Sequence, residues 1–248
     1  MNFFNEFIKT TNSDNQNVTL LNDPVIGAIQ NDAYQLYRCP HLKKYEADLL
    51  LQLPYNHSFL DIGAHFGDTS FTMALYAKNN NRSDIRFFAF EPCKEKCDYI
   101  TKISNLNSLN IHVFNVGVGD KNCKIIPHHY ASTLKGTITY LHDDNGVQNM
   151  ITLDSINNKI EPVGFMHIDV EGWESKVLEG AKAIINNNNT VIITECWDSA
   201  TSLRLGFNEN PEKQILDVMN NHKMYEQLPD IFDHERNLVF FSNHSILK

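Results

Sequence analysis

Two stretches of this chain gather residues that could do chemistry. The first reads SFLDIGAHFGDTS, residues 58–70, and FFAFEP follows it, with Glu91 near its end. An apolar run closes on Asp61, a turn carries Gly63, Ala64, His65 and Gly67, and a helical pattern begins with Ser70 in its first turn. Glycines let a backbone take positive φ and pass close to a ligand. The helix N-terminus offers N–H groups that the helix itself does not use. The second stretch reads HIDVEGWE, residues 167–174, with His167, Asp169 and Glu171. Glu195, at the end of VIITE, would join them at a neighbouring strand end. Carboxylates so gathered are costly unless a proton, a cation or a sulfonium compensates, which reads as function.

The glycine turn must suit a particular ligand. A dinucleotide site is marked by GxGxxG with an acid about 20 residues on. Here Gly63 and Gly67 are four apart with no third glycine in frame, and Glu91 comes 30 residues after Asp61. An acid in the turn repels a pyrophosphate and attracts a cationic amino acid. S-adenosylmethionine (SAM) has an ammonium, a sulfonium and ribose hydroxyls, and no phosphate. Glu91 could accept from both ribose hydroxyls; it could also serve as a helix N-terminal charge, with Pro92 at the first helical position.

The elements that must hold these residues are legible as a rhythm. From Ser58, apolar strand-like runs (SFLDIG, IRFFAFEP, IHVFNVGVGD, GFMHIDVEG, TVIITECW) alternate with helical patterns, and NLVFFS follows near the end. That alternation predicts an α/β fold, Rossmann-like, with a mostly parallel sheet and helices on both faces. Residues 121–157 break the rhythm with short β-like pieces and turn signals at Lys135-Gly136 and Asn145-Gly146, and read as an inserted hairpin. Residues 1–57 read as a helical or lid segment: Asn-rich at first, with Phe3, Phe4, Phe7 and Ile8 as anchors, then helical after Pro40, where Leu42, Tyr45, Leu49 and Leu53 recur at three- and four-residue steps. The remainder, 58–248, reads as the catalytic domain.

Composition bounds the partners. The 248 residues carry a formal net charge of −9, which disfavours nucleic acid. Five scattered cysteines (Cys39, Cys93, Cys97, Cys123, Cys196) read as free thiols of a reducing, cytoplasmic compartment. No signal-peptide layout opens the chain, and no apolar run nears the roughly 18 residues of a membrane span. Oligomeric state is left open.

Taken in order, FLDIGAHFGDTS, FAFEP, VGVGD, TLDSI, HIDVEGWESKVLEGA and VIITE resemble the FkbM-type SAM-dependent methyltransferases over roughly residues 58–242. The resemblance implies a class I methyltransferase fold, seven-stranded, with one antiparallel strand that NLVFF would supply. It implies O-methylation of a hydroxyl on a sugar, glycan or other small molecule. It places the cofactor on Asp61, Gly63, Ala64, Gly67 and Glu91, and sets Asp120 toward adenine, although Asp120 also fits a turn-capping role. Two positions depart from the family's pattern: His65 stands where Asn is common, and His167 where Lys is usual.

Two arrangements of the second stretch compete. Asp169, Glu171 or His167 could act as base or orient the acceptor, with Asp169 also touching the cofactor. Alternatively, Asp169, Glu171 and Glu195 could hold a divalent cation such as Mg2+. Glu171 and Glu174 could also cap the next helix, and His167 could be a core residue. The acceptor would be held by Tyr34 to His41 and by His128, His129 and Tyr130. Rival functions are an NAD(P)-dependent oxidoreductase, a nucleic-acid methyltransferase (which would show D/N-P-P-Y/F where DVEG stands) and a non-catalytic binding protein.

Overall fold

Runs such as SFLDI and VGFMHI are apolar on both alternating sets of residues, so they bury both faces and form interior strands. The computed structural model describes the backbone of residues 6–11, 17–22, 40–128, 139–142, 145–187, 189–207, 209–220, 223–229 and 235–241. It describes the side chains of 45–126, 145–187, 189–207, 209–220 and 236–241. In chain order the elements are β1 (Glu6–Thr11), β2 (Asn17–Asn22), α1 (Pro40–Leu51), β3 (Ser58–Ile62), α2 (Asp68–Asn79), β4 (Arg86–Phe90), α3 (Lys94–Leu106) and β5 (Ile111–Phe114). Next come β6 (Gly117–Val118), β7 (Cys123–His128), β8 (Thr139–His142), β9 (Gln148–Ile151), a 3-10 turn (Leu153–Ile156), α4 (Asn157–Ile160) and β10 (Val163–Ile168). The rest are α5 (Glu174–Glu179), α6 (Lys182–Asn187), β11 (Val191–Trp197), α7 (Ser199–Arg204), α8 (Pro211–Val218), β12 (Lys223–Pro229) and β13 (Glu235–Phe241).

Seven strands form one sheet in the order β12-β13-β11-β10-β3-β4-β5. β11, β10, β3, β4 and β5 are mutually parallel, and β13 is antiparallel to both its neighbours. NLVFF lies in β13, the antiparallel strand that was expected. On one face Phe59, Phe87 and Phe165 pack with α1, α2 and α3; on the other Leu60, Ile62, Met166, Ile168 and Ile192 pack with α5, α6 and α8. The chain runs outward from β3 to β5, then returns to place β10 on the other side of β3. The order reverses between β3 and β10, and a ligand crevice belongs outside their carboxyl ends.

Two expectations change. Residues 1–57 are not purely helical: α1 begins at Pro40 as expected, but β1 and β2 form an antiparallel pair. Ile8, Thr10, Thr11, Val18 and Thr19 are β-branched residues that suit pairing. Residues 121–157 hold more than a hairpin. β7 pairs with β8, but β9 also pairs with β7, and β6 with β9, giving a four-stranded sheet. Tyr34 to Cys39, His129, Tyr130 and Lys135-Gly136 lie outside the described residues, as do the side chains of Pro40, His41 and His128.

Candidate active site

The glycine turn is fastened to β4. The N–H groups of Gly63 and Ala64 both donate to the Phe90 carbonyl at 3.0 Å, and Gly67 N–H donates to the Ala64 carbonyl at 2.6 Å. Gly63, His65 and Gly67 take φ of +86°, +49° and +84°. At Gly63 nothing larger fits: a Cβ would stand 1.7 Å from the Asp169 carbonyl oxygen. Gly67 caps α2 and makes no side-chain cap hydrogen bond to its first turn. Asp61 is buried beneath the turn and accepts from Ser70 Oγ at 2.5 Å.

Glu91 leans over the same turn. Its Oε2 accepts from His65 N–H at 3.0 Å and its Oε1 from Cys93 N–H at 2.8 Å. Each carboxylate oxygen can accept twice, so two backbone bonds leave capacity for two hydroxyls. Burial pushes the Glu91 carboxyl above the usual range, and Asp61 adds to the rise; Lys96 and the two amide donors oppose it. A buried carboxylate, positive-φ backbone and a helix N-terminus on one loop are groups that could hold the ribose and amino-acid ends of SAM.

The second stretch folds back against this turn. Asp169 N–H donates to the Ile62 carbonyl at 3.0 Å, which continues the β3–β10 pairing by one residue. Glu195 follows Thr194, the register partner of Ile168, so Asp169 and Glu195 occupy level positions on neighbouring strands. Glu171 takes φ of +56° and Gly172 of +96°. Glutamate and histidine rarely adopt left-handed backbone, and both His65 and Glu171 do so here, as strain at functional loops would have it. Glu174 fastens this turn: its Oε1 accepts from Val170 N–H at 3.2 Å and Gly172 N–H at 3.0 Å. Among the described residues no three His, Cys, Asp or Glu side chains are grouped to hold a metal, so Asp169, Glu171 and Glu195 do not assemble the cation site that was considered.

His167 pairs in register with Asp61 on β3 and Ile193 on β11, so the three share a face. Its Nδ1 lies 3.1 Å from Oε1 of Glu46 on α1, and both residues are buried. Sequence reasoning missed Glu46. The signal was present: Glu46, Leu49, Leu50 and Leu53 recur at helical spacing, which puts an acid within an otherwise apolar stripe.

Residues 61–228 match the Methyltransferase FkbM domain, about two thirds of the chain. The chain belongs to the FkbM methyltransferase family. Its cofactor class is SAM, and its fold is that of class I methyltransferases. The methyltransferase FkbM of Methylobacillus flagellatus KT aligns at TM-score 0.50 with 15% identity; the match covers 75% of this chain and 43% of that one, so this chain spans less than half of that protein. The Pyrococcus abyssi tRNA (uracil-54, C5)-methyltransferase, solved with S-adenosyl-L-homocysteine, aligns at 0.50 with 11% identity, covering 96% and 44%. The fibrillarin/Nop5p complex gives 0.52 with 12% identity, covering 82% and 83%. No curated protein sequence matches the chain.

Several FkbM motifs turn out to seat the frame. Asp154 of TLDSI accepts from the N–H groups of Ala183 and Ile184 at 2.9 and 3.0 Å, which caps α6. Gly180 of VLEGA exists because Gly119 of VGVGD is there: a Cβ on Gly180 would stand 2.0 Å from the Gly119 carbonyl oxygen. Asp120 is ion-paired with Lys176 of α5 at 3.3 Å, an anchor within the same contact. Cys93, Cys97, Cys123 and Cys196 are free thiols. No described helix is long and apolar enough to cross a membrane.

Proposed function

We propose that this FkbM domain methylates a hydroxyl oxygen of a sugar, glycan or other small molecule. The observation that carries the reading is the pairing of two sites at one switch point: the Glu91-fastened glycine turn beside β3, and the His167–Glu46 pair with Asp169 beside β10. When bound, SAM supplies an electrophilic methyl carbon on its sulfonium.

The chain's own residues do the rest. Glu91 accepts the ribose hydroxyls, and the turn and the first N–H groups of α2 orient the amino-acid end. Asp169 and Glu171 orient the acceptor at the strand ends. Trp173 offers an indole Nε1–H that is buried and meets no hydrogen-bond partner among the described residues, a donor suited to an acceptor oxygen. His167 takes the hydroxyl proton as the acceptor oxygen forms its new bond to carbon.

The test is calorimetric titration of the protein with S-adenosylhomocysteine and, in parallel, NADH, followed by a screen of glycans and monosaccharides with methyl-labelled SAM. Micromolar binding of the former alone, with label recovered as an alkali-stable methyl ether, supports the reading. Binding of NADH instead sinks it. Label on nitrogen or carbon would keep the methyltransferase and overturn the hydroxyl acceptor.

A further inference from the structure

Glu46 is an acid on the inward face of α1, among Ala47, Leu49 and Leu50, and it is completely buried. Burying a carboxylate costs several kcal/mol unless a partner compensates. Its Oε1 meets His167 Nδ1 at 3.1 Å across 121 residues of sequence. With Glu46 ionised its oxygen can only accept, so Nδ1 carries the hydrogen of this bond, and in the neutral ring Nε2 carries the lone pair. The same logic governs a histidine base oriented by an acid.

The surroundings of the imidazole sharpen this. From α1 it faces Glu46; from β3 its register neighbour is Asp61, which is bonded to Ser70 of α2; from β11 the neighbour is the apolar Ile193. Glu46 at Nδ1 and Asp61 at the register position are both acids, and an acid beside the ring favours its protonated form.

We propose that Glu46 is a positioning residue: it fixes His167 in the Nδ1–H tautomer, presents Nε2 as the proton acceptor, and stabilises the imidazolium that forms. The proton passes from the acceptor hydroxyl to Nε2, and the positive charge gained by the ring is balanced by the Glu46 carboxylate. This rests on the methyltransferase reading for its purpose but not for its geometry.

Long-range 1H–15N NMR of the histidine rings, with His167 assigned by the peaks lost in His167→Gln, tests it directly. Wild type should show the neutral Nδ1–H tautomer at high pH. Glu46→Gln should lower the His167 apparent pKa by about one pH unit or more, and Glu46→Asp should restore part of it. S-adenosylhomocysteine affinity, read by calorimetry on the same samples, should stay within about twofold of wild type because Glu46 does not belong to the glycine turn. An Nε2–H tautomer in wild type, or an unchanged His167 titration in Glu46→Gln, overturns the proposal. Failure of wild type to bind S-adenosylhomocysteine would instead strike the methyltransferase reading and leave the tautomer result standing on its own.

Discussion

Glu174 should make this protein less stable as the solution becomes more basic, and a single uncharged substitution should reverse that. The residue opens α5 beneath the turn that carries Asp169 and Glu171, and it is buried. Burial is the main force on its carboxyl, and the charge of Asp169 adds to it; the N–H groups of Gly172, Val170 and Glu174 itself act the other way. The balance moves the pKa from 4.5 to about 7. Between those values the folded chain binds a proton here that the unfolded chain releases, so stability falls as pH rises from about 4.5 and levels off above about 7. At roughly 1.4 kcal/mol per pH unit the ceiling is about 3 kcal/mol. Both backbone bonds end on Oε1, so Glu174→Gln can keep them through its amide oxygen while losing the charge. At pH 8 the variant should melt above wild type, by no more than about 6–12 °C at the 2–4 °C per kcal/mol expected for a chain of this size. At pH 4, below both values, where the carboxyl is mostly protonated folded and unfolded alike, the two should melt within about a degree of each other. Thermal denaturation followed by circular dichroism at both pH values decides it. Equal melting at pH 8, or a variant that is weaker there, would show that the buried carboxyl carries no such penalty.

Three further outcomes follow from the geometry. Gly63→Ala should cost about 3 kcal/mol or more and abolish S-adenosylhomocysteine binding, because its Cβ would meet the Asp169 carbonyl; calorimetry showing native affinity would refute the close approach. Glu91→Gln should weaken that binding at least about tenfold and lower the melting temperature, since the amide NH2 replaces one of the two oxygens that accept from His65 and Cys93 N–H; native affinity by calorimetry would refute the assignment. Arg82 forks onto Asp84 at 2.9 and 3.0 Å and onto the Leu53 carbonyl at 2.9 Å, so Arg82→Lys should lower the melting temperature by several degrees; no change would show the fork to be idle.

The parallel core was legible because buried parallel strands are apolar throughout, and SFLDI, RFFAF, VGFMHI and VIITECW leave little else for those residues to be. The glycine turn was legible because glycine spacing and strand-end acids are local signals: Asp61, Gly63, Gly67 and Glu91 lie around one turn. What stayed hidden depends on long-range contact. Glu174 looked like a helix-capping acid, and only burial shows that its carboxyl is displaced upward. Asp169 and Glu195 do sit level, but the backbone between 169 and 173 turns through left-handed conformations that no alternation rule anticipates, so the three carboxylates do not gather as a straight strand end would suggest. The sheet at 117–151 was under-read because its pairing joins β6 to β9 across 30 residues, beyond the reach of turn signals.

The Glu46–His167 contact bears on how this domain differs from the pattern it resembles. Residue 46 lies outside the span 61–228 that matches the FkbM domain, while residue 167 lies inside it at a position where the resemblance implies lysine. A lysine there would be a fixed cation, able to neutralise Asp61 or hold a carboxylate but poorly suited to receive a proton at neutral pH. A histidine can receive one, provided something selects its tautomer and steadies the charge that follows. In the proposal above Glu46 supplies both from α1, and Arg82 holds the far end of α1 by bonding the Leu51 and Leu53 carbonyls at 2.5 and 2.9 Å. A histidine at 167 and the buried acid beside it therefore act as one unit in that proposal. His167→Lys alone should form an ion pair with Glu46 and preserve folding while removing the proton acceptor. Glu46→Gln with His167 intact should leave a ring of reduced basicity. Were both variants to turn over acceptor at the wild-type rate, proton removal would have to come from Asp169 or Glu171, and the buried pair would be reduced to a tie between helix and sheet.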